Sequence, residues 1–167
     1  MNLLTVIICL LTAITTVYAS PHHLKRTAEG PFYFAGELSN PSECLNLTAT
    51  NNNIILSNNV SAHQFLFLDS GSVNGQLSVL GFSEGYSYVY TDGQDGSVHY
   101  INSGQPPNGS SSNQWLLTAQ ESDPDTKVLE FTGGALLACT DESTGVVSLV
   151  ATSGQPEGCQ TVTVHSH

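Results

Sequence analysis

An internal repeat constrains the fold of this chain more than any other feature of its sequence. Residues 79–106 (VLGFSEGYSYVYTDGQDGSVHYINSGQP) align with residues 128–159 (VLEFTGGALLACTDESTGVVSLVATSGQPEGC) at an offset of 49 residues, which becomes 50 after one gap. The two copies share Val-Leu-x-Phe, a Thr-Asp pair and Ser-Gly-Gln-Pro near the end. A repeat of this period indicates a fold assembled from similar supersecondary units.

The units consist of strands. Short apolar and β-branched segments alternate with Gly, Asn and Asp turns, and no window shows the 3.6-residue stripe of an amphipathic helix. We count about 10–12 short strands. A four-strand unit of about 45–50 residues, present three times, makes an all-β, β-trefoil-like barrel. Two units are visible near residues 65–109 and 115–164, and the first is recognisable only by strand rhythm. The alternative is a β-sandwich with an internal duplication.

The beginning of the chain predicts secretion. Residues 1–19 have an uncharged apolar core and end in Val-Tyr-Ala, so we expect a signal peptide cleaved after Ala19. The apolar run is shorter than the ~20 residues that a bilayer-spanning helix needs. Residues 20–26 form a short pro-segment that ends in Lys25-Arg26, a kexin-type processing site. Residues 27–167 then form a single all-β domain.

The predicted mature domain is strongly acidic. Its 14 carboxylates are opposed by Lys127 alone, which gives residues 27–167 a formal charge of −13. Nucleic acids and anionic membranes need a basic face on their partners, so both are excluded as partners. The chain ends in His-Ser-His without a hydrophobic tail, and we therefore expect no GPI anchor.

Three cysteines remain after the predicted cleavage, and an odd number in an oxidising compartment leaves one unpaired. We favour a Cys139–Cys159 disulfide with Cys44 as the spare thiol, and Cys44–Cys159 is the alternative. Sequons begin at Asn46, Asn59 and Asn108, which are glycosylation candidates in a secreted protein.

No pattern indicates catalysis. Residues 81–85 (GFSEG) match the nucleophile-elbow motif around Ser83, but the motif needs a strand-to-helix turn, and strand residues follow here. Asp92, Asp95 and His99 are better interpreted as turn and strand residues than as partners of Ser83. Motifs for zinc and for calcium are absent from the sequence. We therefore predict no catalytic residues, no metal site and no cofactor.

Aromatic side chains are the remaining candidates for ligand contact, because sugar rings stack on them. The candidates are Tyr86, Tyr88, Tyr90, Tyr100 and Trp115. Most of them must fill the core, so we assign at most two, Trp115 and Tyr86, to a ligand. Any binding function is expected in the loops where the two repeat copies diverge.

Several features occur together in the C-terminal half: residues 95–100, the Gly-Gln-Pro loop at 104–106, Trp115, Leu129-x-Phe131, 136–139 and Cys159. With these features the C-terminal half resembles the PhiA-type fungal cell-wall proteins. More distantly, the chain is similar to the C-terminal domain of the yeast cell-wall proteins with internal repeats. The resemblance covers about residues 88–164 and implies a structural role in the wall without catalytic residues.

Together these observations predict a secreted, glycosylated, non-enzymatic, cell-wall-associated protein. Its expected partners are cell-wall polysaccharide or other wall proteins. The alternative is a secreted binding module, either carbohydrate-binding or a protease-inhibitor-like β-trefoil effector. A small hydrolase that uses Ser83 is the third reading.

Overall fold

The structure is a computed structural model that describes residues 27–39, 42–69, 74–82 and 85–167. The signal peptide, the pro-segment and the processing residues Ala19, Lys25 and Arg26 lie outside the described residues, as does Ser83. Tyr86 is described as a strand residue only, without its side chain.

The described residues form twelve β-strands and contain no helix, so the prediction of an all-β fold with ten to twelve short strands is confirmed. None of them forms a helix long and apolar enough to cross a membrane. The strands are β1 (Thr27–Ser39), β2 (Ser42–Thr50), β3 (Asn53–Leu56), β4 (Gln64–Asp69), β5 (Gly75–Phe82), β6 (Gly85–Thr91), β7 (Val98–Ile101), β8 (Trp115–Gln120), β9 (Asp123–Phe131), β10 (Ala135–Thr140), β11 (Val147–Thr152) and β12 (Cys159–Ser166).

Six strands close into a ring. β1 pairs with β4, β4 with β5, β5 with β8, β8 with β9, β9 with β12, and β12 returns to β1, all antiparallel. The closing pair runs from Phe34↔Ser166 to Leu38↔Val162. A closed ring has no free edge between first and last strands, which excludes the two separate sheets of a β-sandwich.

The other six strands form three hairpins, β2–β3, β6–β7 and β10–β11. The hairpins meet one another in a triangle. β3 contacts β7 at Asn53↔His99 and β11 at Val147↔Leu56, and Ser97↔Val150 joins the second hairpin to the third. A six-stranded ring with a three-hairpin cap is the β-trefoil arrangement that the repeat predicted.

The four-strand units of the structure therefore span 27–69, 75–120 and 123–166. The copies as read from the sequence, near 65–109 and 115–164, each begin one strand earlier, at β4 and β8. The difference has a simple cause. In an antiparallel ring the last strand of one unit pairs with the first strand of the next, so its side-chain pattern continues into the following unit.

The third unit departs from the other two in its pairing. The first strand pairs with the second in unit one (β1–β2) and in unit two (β5–β6). Among the described residues β9 has no such pairing with β10, which instead pairs with β12 from Leu137↔Thr161 to Cys139↔Cys159. The predicted Cys139–Cys159 disulfide is confirmed, and it joins the last residue pair of this contact, with 4.2 Å between the Cα atoms.

One hydrophobic core fills the ring and the space under the cap. Strand alternation directs every second side chain inward, as in β4, where Phe65 and Phe67 are buried and Leu66 is half-buried. The largest completely buried side chain is Trp115, whose ring packs against Phe131 with 5.7 Å between centroids. This position corrects the expectation of ligand stacking at Trp115, because a core ring with no exposed surface cannot face a sugar.

The turns of two hairpins share one design. The Asp92 carboxylate accepts a hydrogen bond from the Gln94 N–H at 2.7 Å, and the Asp141 carboxylate accepts one from the Ser143 N–H at 2.8 Å. Both aspartates follow a threonine and belong to the repeat. These hydrogen bonds form Asx-turns, which matches the interpretation of Asp92 as a turn residue, and Asp141 has the same structural role.

Candidate functional site

The connection from the third to the fourth strand is where the units differ most. It spans 57–63 in unit one, 102–114 in unit two and 153–158 in unit three. At 13 residues the connection 102–114, called the long loop below, is about twice as long as the other two. Loops carried by a rigid scaffold are common places for binding residues.

The long loop is fixed to the second hairpin by backbone hydrogen bonds. The Thr91 N–H donates to the Ser111 carbonyl at 2.8 Å, and the Ser111 N–H donates to the Thr91 carbonyl at 3.0 Å. The Thr91 hydroxyl donates to the same Ser111 carbonyl at 3.2 Å. These bonds hold the loop in one conformation before any ligand arrives, which lowers the entropy lost on binding.

A glycine contact completes this anchor. A Cβ atom at Gly93 would overlap the carbonyl oxygen of Gly109, so the turn of the second hairpin and the long loop touch through their backbones. We predict that Gly93→Ala destabilises the domain by about 1–3 kcal/mol, because backbone must move to admit the methyl group. Urea unfolding measures the loss, and hydrogen exchange of the long loop should accelerate.

Gly154→Ala is the matched control for that substitution. Gly154 lies in the shorter connection of unit three, and a Cβ there would meet only the Thr152 hydroxyl at 3.7 Å, an ordinary contact. We expect its stability to stay within about 0.5 kcal/mol of the parent. Equal effects of the two substitutions would contradict the anchoring role of Gly93.

Between the long loop and strands β5 and β6 lies a pocket of about 420 Å³, called the loop pocket below. Its volume lies within the range of known small-ligand sites, about 300–1,000 Å³. Its side chains are amides, hydroxyls, one proline and one aromatic ring, without a charged group. The lining residues are Gln76, Tyr88, Gly104, Gln105, Pro106, Ser110, Ser112 and Asn113.

Tyr88 supplies the aromatic ring of the loop pocket. It lies in β6, opposite Ser78 of β5 and Ile101 of β7, and it is half-buried. An aromatic ring offers an apolar face with a polar hydroxyl at its tip, and the amides nearby both donate and accept hydrogen bonds. This combination suits a ligand that has apolar ring faces and many hydroxyl groups.

Three of the other four aromatic candidates do not line this pocket. Trp115 and Tyr100 are buried in the core, and Tyr90 packs against the His99 ring at 5.5 Å between centroids. Tyr86 lies in the same strand, two residues before Tyr88, and its side chain is not described. Sequence reasoning included Tyr88 among five candidates but did not select it. The length of the polar loop that follows β7 was the sequence signal that could have pointed to Tyr88.

A second concavity, of about 430 Å³, opens where β9 and β10 separate. Its lining is mainly aliphatic, and its polar side chains are three threonines and Glu130, without an amide side chain or a tyrosine. The loop pocket is therefore the stronger candidate. The second concavity is lined by Leu116, Val128, Leu129, Glu130, Phe131, Thr132, Gly134, Ala135, Leu136, Thr161, Val162, Thr163 and Val164.

The three sequons differ in accessibility. Asn108 is exposed at the tip of the long loop, where the Ser110 N–H donates to the Pro107 carbonyl at 3.1 Å. Asn59 is exposed in the connection 57–63. Asn46 is half-buried in β2, and the hydroxyl of its sequon residue Thr48 is buried and donates to the Ser61 carbonyl at 2.9 Å.

Cys44 is a free, exposed thiol on β2. Its carbonyl accepts a hydrogen bond from the Asn58 amide at 3.1 Å, so this part of β2 is held by the connection 57–63. The spare cysteine of the sequence is therefore at the surface, rather than buried.

Two of the residues considered for catalysis, Asp92 and Asp95, accept hydrogen bonds within a turn. The Asp95 carboxylate accepts a hydrogen bond from the Ser97 N–H at 2.8 Å, and this bond lowers the pKa of Asp95. His99 Nδ1 lies 2.8 Å from the Asn53 amide oxygen, across the contact between two hairpins. Within the described residues no group of three or more His, Cys, Asp or Glu side chains is placed to hold a metal ion.

His63 joins the connection 57–63 to β2. Its Nδ1 lies 2.8 Å from the Thr48 hydroxyl and 3.3 Å from the Ala49 N–H. Burial lowers the pKa of His63 below its ordinary 6.5, and a hydrogen bond with the Ser61 backbone offsets part of that effect.

This pKa shift predicts a loss of stability in mild acid. Because the folded state disfavours the protonated ring, the unfolded state takes up protons first as the pH falls through 6.5. The loss should stay below about 1 kcal/mol, since the ring is partly exposed and solvent screens it. Urea unfolding at pH 7.5 and 5.5 measures it, and His63→Gln should reduce the difference. An unchanged difference in that variant would contradict this role of His63.

No family model, no curated protein and no solved structure matches this chain.

Proposed function

We propose that this chain is a secreted, glycosylated, non-enzymatic protein of the fungal cell wall, and that it binds uncharged wall polysaccharide in the loop pocket. One observation carries the second part. A half-buried tyrosine lies beside amides and hydroxyls in a pocket without a charged side chain. This is the chemistry that recognises a neutral sugar ring, through stacking and hydrogen bonds.

The charge of the domain supports a neutral ligand. Fourteen carboxylates and one lysine repel anionic polysaccharides from the surface as a whole. A cationic polysaccharide would be drawn to the carboxylates rather than to the loop pocket, whose lining has none. The bound polymer is therefore an uncharged one, such as a β-glucan or chitin.

Binding to a panel of polysaccharides tests the ligand class. The oxidised protein would be sedimented with insoluble β-1,3-glucan and chitin (neutral), chitosan (cationic) and calcium pectate (anionic) at 50 and 500 mM NaCl. We expect binding to at least one neutral polymer that is unchanged by salt, because no ion pair is formed. Retention on chitosan alone, abolished by salt, would indicate attraction of the acidic surface and would contradict the proposal.

Extraction of intact walls tests the cellular part of the proposal. Walls would be treated with detergent, then with a thiol reductant, then with glucanase, and the protein followed through each fraction. Release by detergent indicates non-covalent retention, and release by reductant indicates retention through a disulfide, for which Cys44 is the exposed thiol. Release by glucanase indicates retention by the glucan itself. Recovery of all the protein in the culture medium would contradict a wall role.

A further inference from the structure

Ser78 stands out among the buried hydroxyl groups of the domain. It is completely buried in β5, and its Oγ has no hydrogen-bond partner among the described residues. A buried hydroxyl without a partner destabilises a fold, and such groups are rare in native proteins.

The other buried hydroxyls all have partners. Ser87 Oγ donates to the Asn102 amide oxygen at 2.6 Å, and Thr48 and Thr91 donate to backbone carbonyls. Ser166 Oγ accepts from the Lys127 N–H at 2.8 Å. Among the buried hydroxyl groups of the described residues, Ser78 is thus the exception, and Trp115 Nε1 is the other buried side-chain atom without a partner there.

Ser78 lies directly behind the loop pocket. It is two residues from Gln76 on the same strand, so both side chains project from the same face of β5. Tyr88 is its cross-strand partner, and directly opposed side chains share a face with Cβ atoms about 4.5–5.5 Å apart. Gln76 and Tyr88 both line the pocket, so the unpaired hydroxyl borders its wall.

We propose that Ser78 is a ligand-binding residue of the loop pocket, and that its Oγ forms a hydrogen bond with a hydroxyl group of the bound sugar. This inference rests on the function proposed above. The sugar reaches Ser78 when the Tyr88 ring changes its side-chain rotamer, a common adjustment on binding. The unpaired hydroxyl then acquires its partner only in the complex, and it favours ligands that carry a hydroxyl group at that point.

This role makes Ser78→Ala unusual, because stability and binding move in opposite directions. Removal of an unpaired buried hydroxyl should leave the melting temperature unchanged or raise it. The same substitution should weaken binding of soluble laminarin, a neutral β-1,3-glucan, at least tenfold by calorimetric titration. A purely structural serine would lose stability and keep its affinity.

Ser87→Ala is the matched control, since Ser87 is a buried serine in the adjacent strand whose hydroxyl has a partner. The melting temperature of Ser87→Ala should fall.

If wild-type protein binds laminarin and Ser78→Ala binds it equally well, the role of Ser78 is wrong while the proposed function stands. If Ser78→Ala lowers the melting temperature as Ser87→Ala does, a structural water satisfies Ser78, and the inference is also overturned. If wild type binds chitin alone, the same comparison is made by sedimentation with chitin. If wild type binds neither laminarin nor any other neutral polysaccharide, chitin included, the proposed function fails, and this inference fails with it.

Discussion

Replacement of Trp115 by alanine is expected to lower the free energy of unfolding by about 3–5 kcal/mol. The ring has no exposed surface and packs against Phe131. In β8, Trp115 pairs with Gly75 on one side and with Phe131 on the other, at a point where two units meet. Truncation therefore leaves a cavity between units two and three, which neighbouring side chains cannot fill without strain.

Urea unfolding followed by circular dichroism measures this loss, since the substitution removes the tryptophan fluorescence. Tyr33→Ala is the control, because it also truncates an aromatic ring, but one that is 40% exposed on β1. We expect a loss below about 1 kcal/mol there. A Trp115→Ala protein that keeps its stability and loses only sugar binding would restore the stacking role that the fold argues against.

Loss of the Cys139–Cys159 disulfide is expected to destabilise the domain by about 3 kcal/mol, on the chain-entropy model. The bond closes a loop with a sequence separation of 20 residues. It also joins the end of the short β10–β12 contact, which spans only Leu137 to Cys139 on the β10 side. Since β9 and β10 do not pair among the described residues, this contact and the β11 pairing hold β10 in place.

The double variant Cys139→Ser/Cys159→Ser tests this expectation by urea unfolding. Hydrogen exchange should accelerate first in β10 and in the first residues of β12, which the disulfide no longer joins. Cys44→Ser is the control, because Cys44 is an exposed free thiol, and its effect should stay within about 0.5 kcal/mol. A loss of stability confined to Cys44→Ser, or equal in the two variants, would contradict the role of the disulfide in stabilising unit three.

The repeat predicted the trefoil because its two copies preserve the residues that determine strands and turns. Asp92 and Asp141 each follow a threonine at the same position of the repeat, and each accepts hydrogen bonds within its own hairpin turn. The Cys139–Cys159 pairing was favoured because it closes a short loop, and the two residues do lie opposite each other. Local chemistry of this kind is readable from one sequence, because it acts over a few residues.

The direction of a side chain depends on long-range pairing and was not readable in the same way. Trp115 and Tyr88 are both aromatic strand residues, but the ring of strands turns the first into the core and the second toward the long loop. No local sequence signal indicates that β10 pairs with β12, whereas the equivalent strands of the other two units pair with the first strand of their unit. Ser78 is an ordinary strand serine in the sequence, and only its burial without a partner distinguishes it.

Sedimentation of the Tyr88→Ala variant with insoluble neutral glucan or chitin tests the central claim most directly. The polymer is the one that retains wild type, and Tyr33→Ala serves as the control, because Tyr33 does not line the loop pocket. Loss of the stacking ring should weaken binding at least tenfold, while Tyr33→Ala binds like wild type. The melting temperature of Tyr88→Ala should fall, because the ring is half-buried, and circular dichroism at the assay temperature shows that the variant is folded. Binding by Tyr88→Ala equal to that of wild type would contradict the loop pocket as the polysaccharide site.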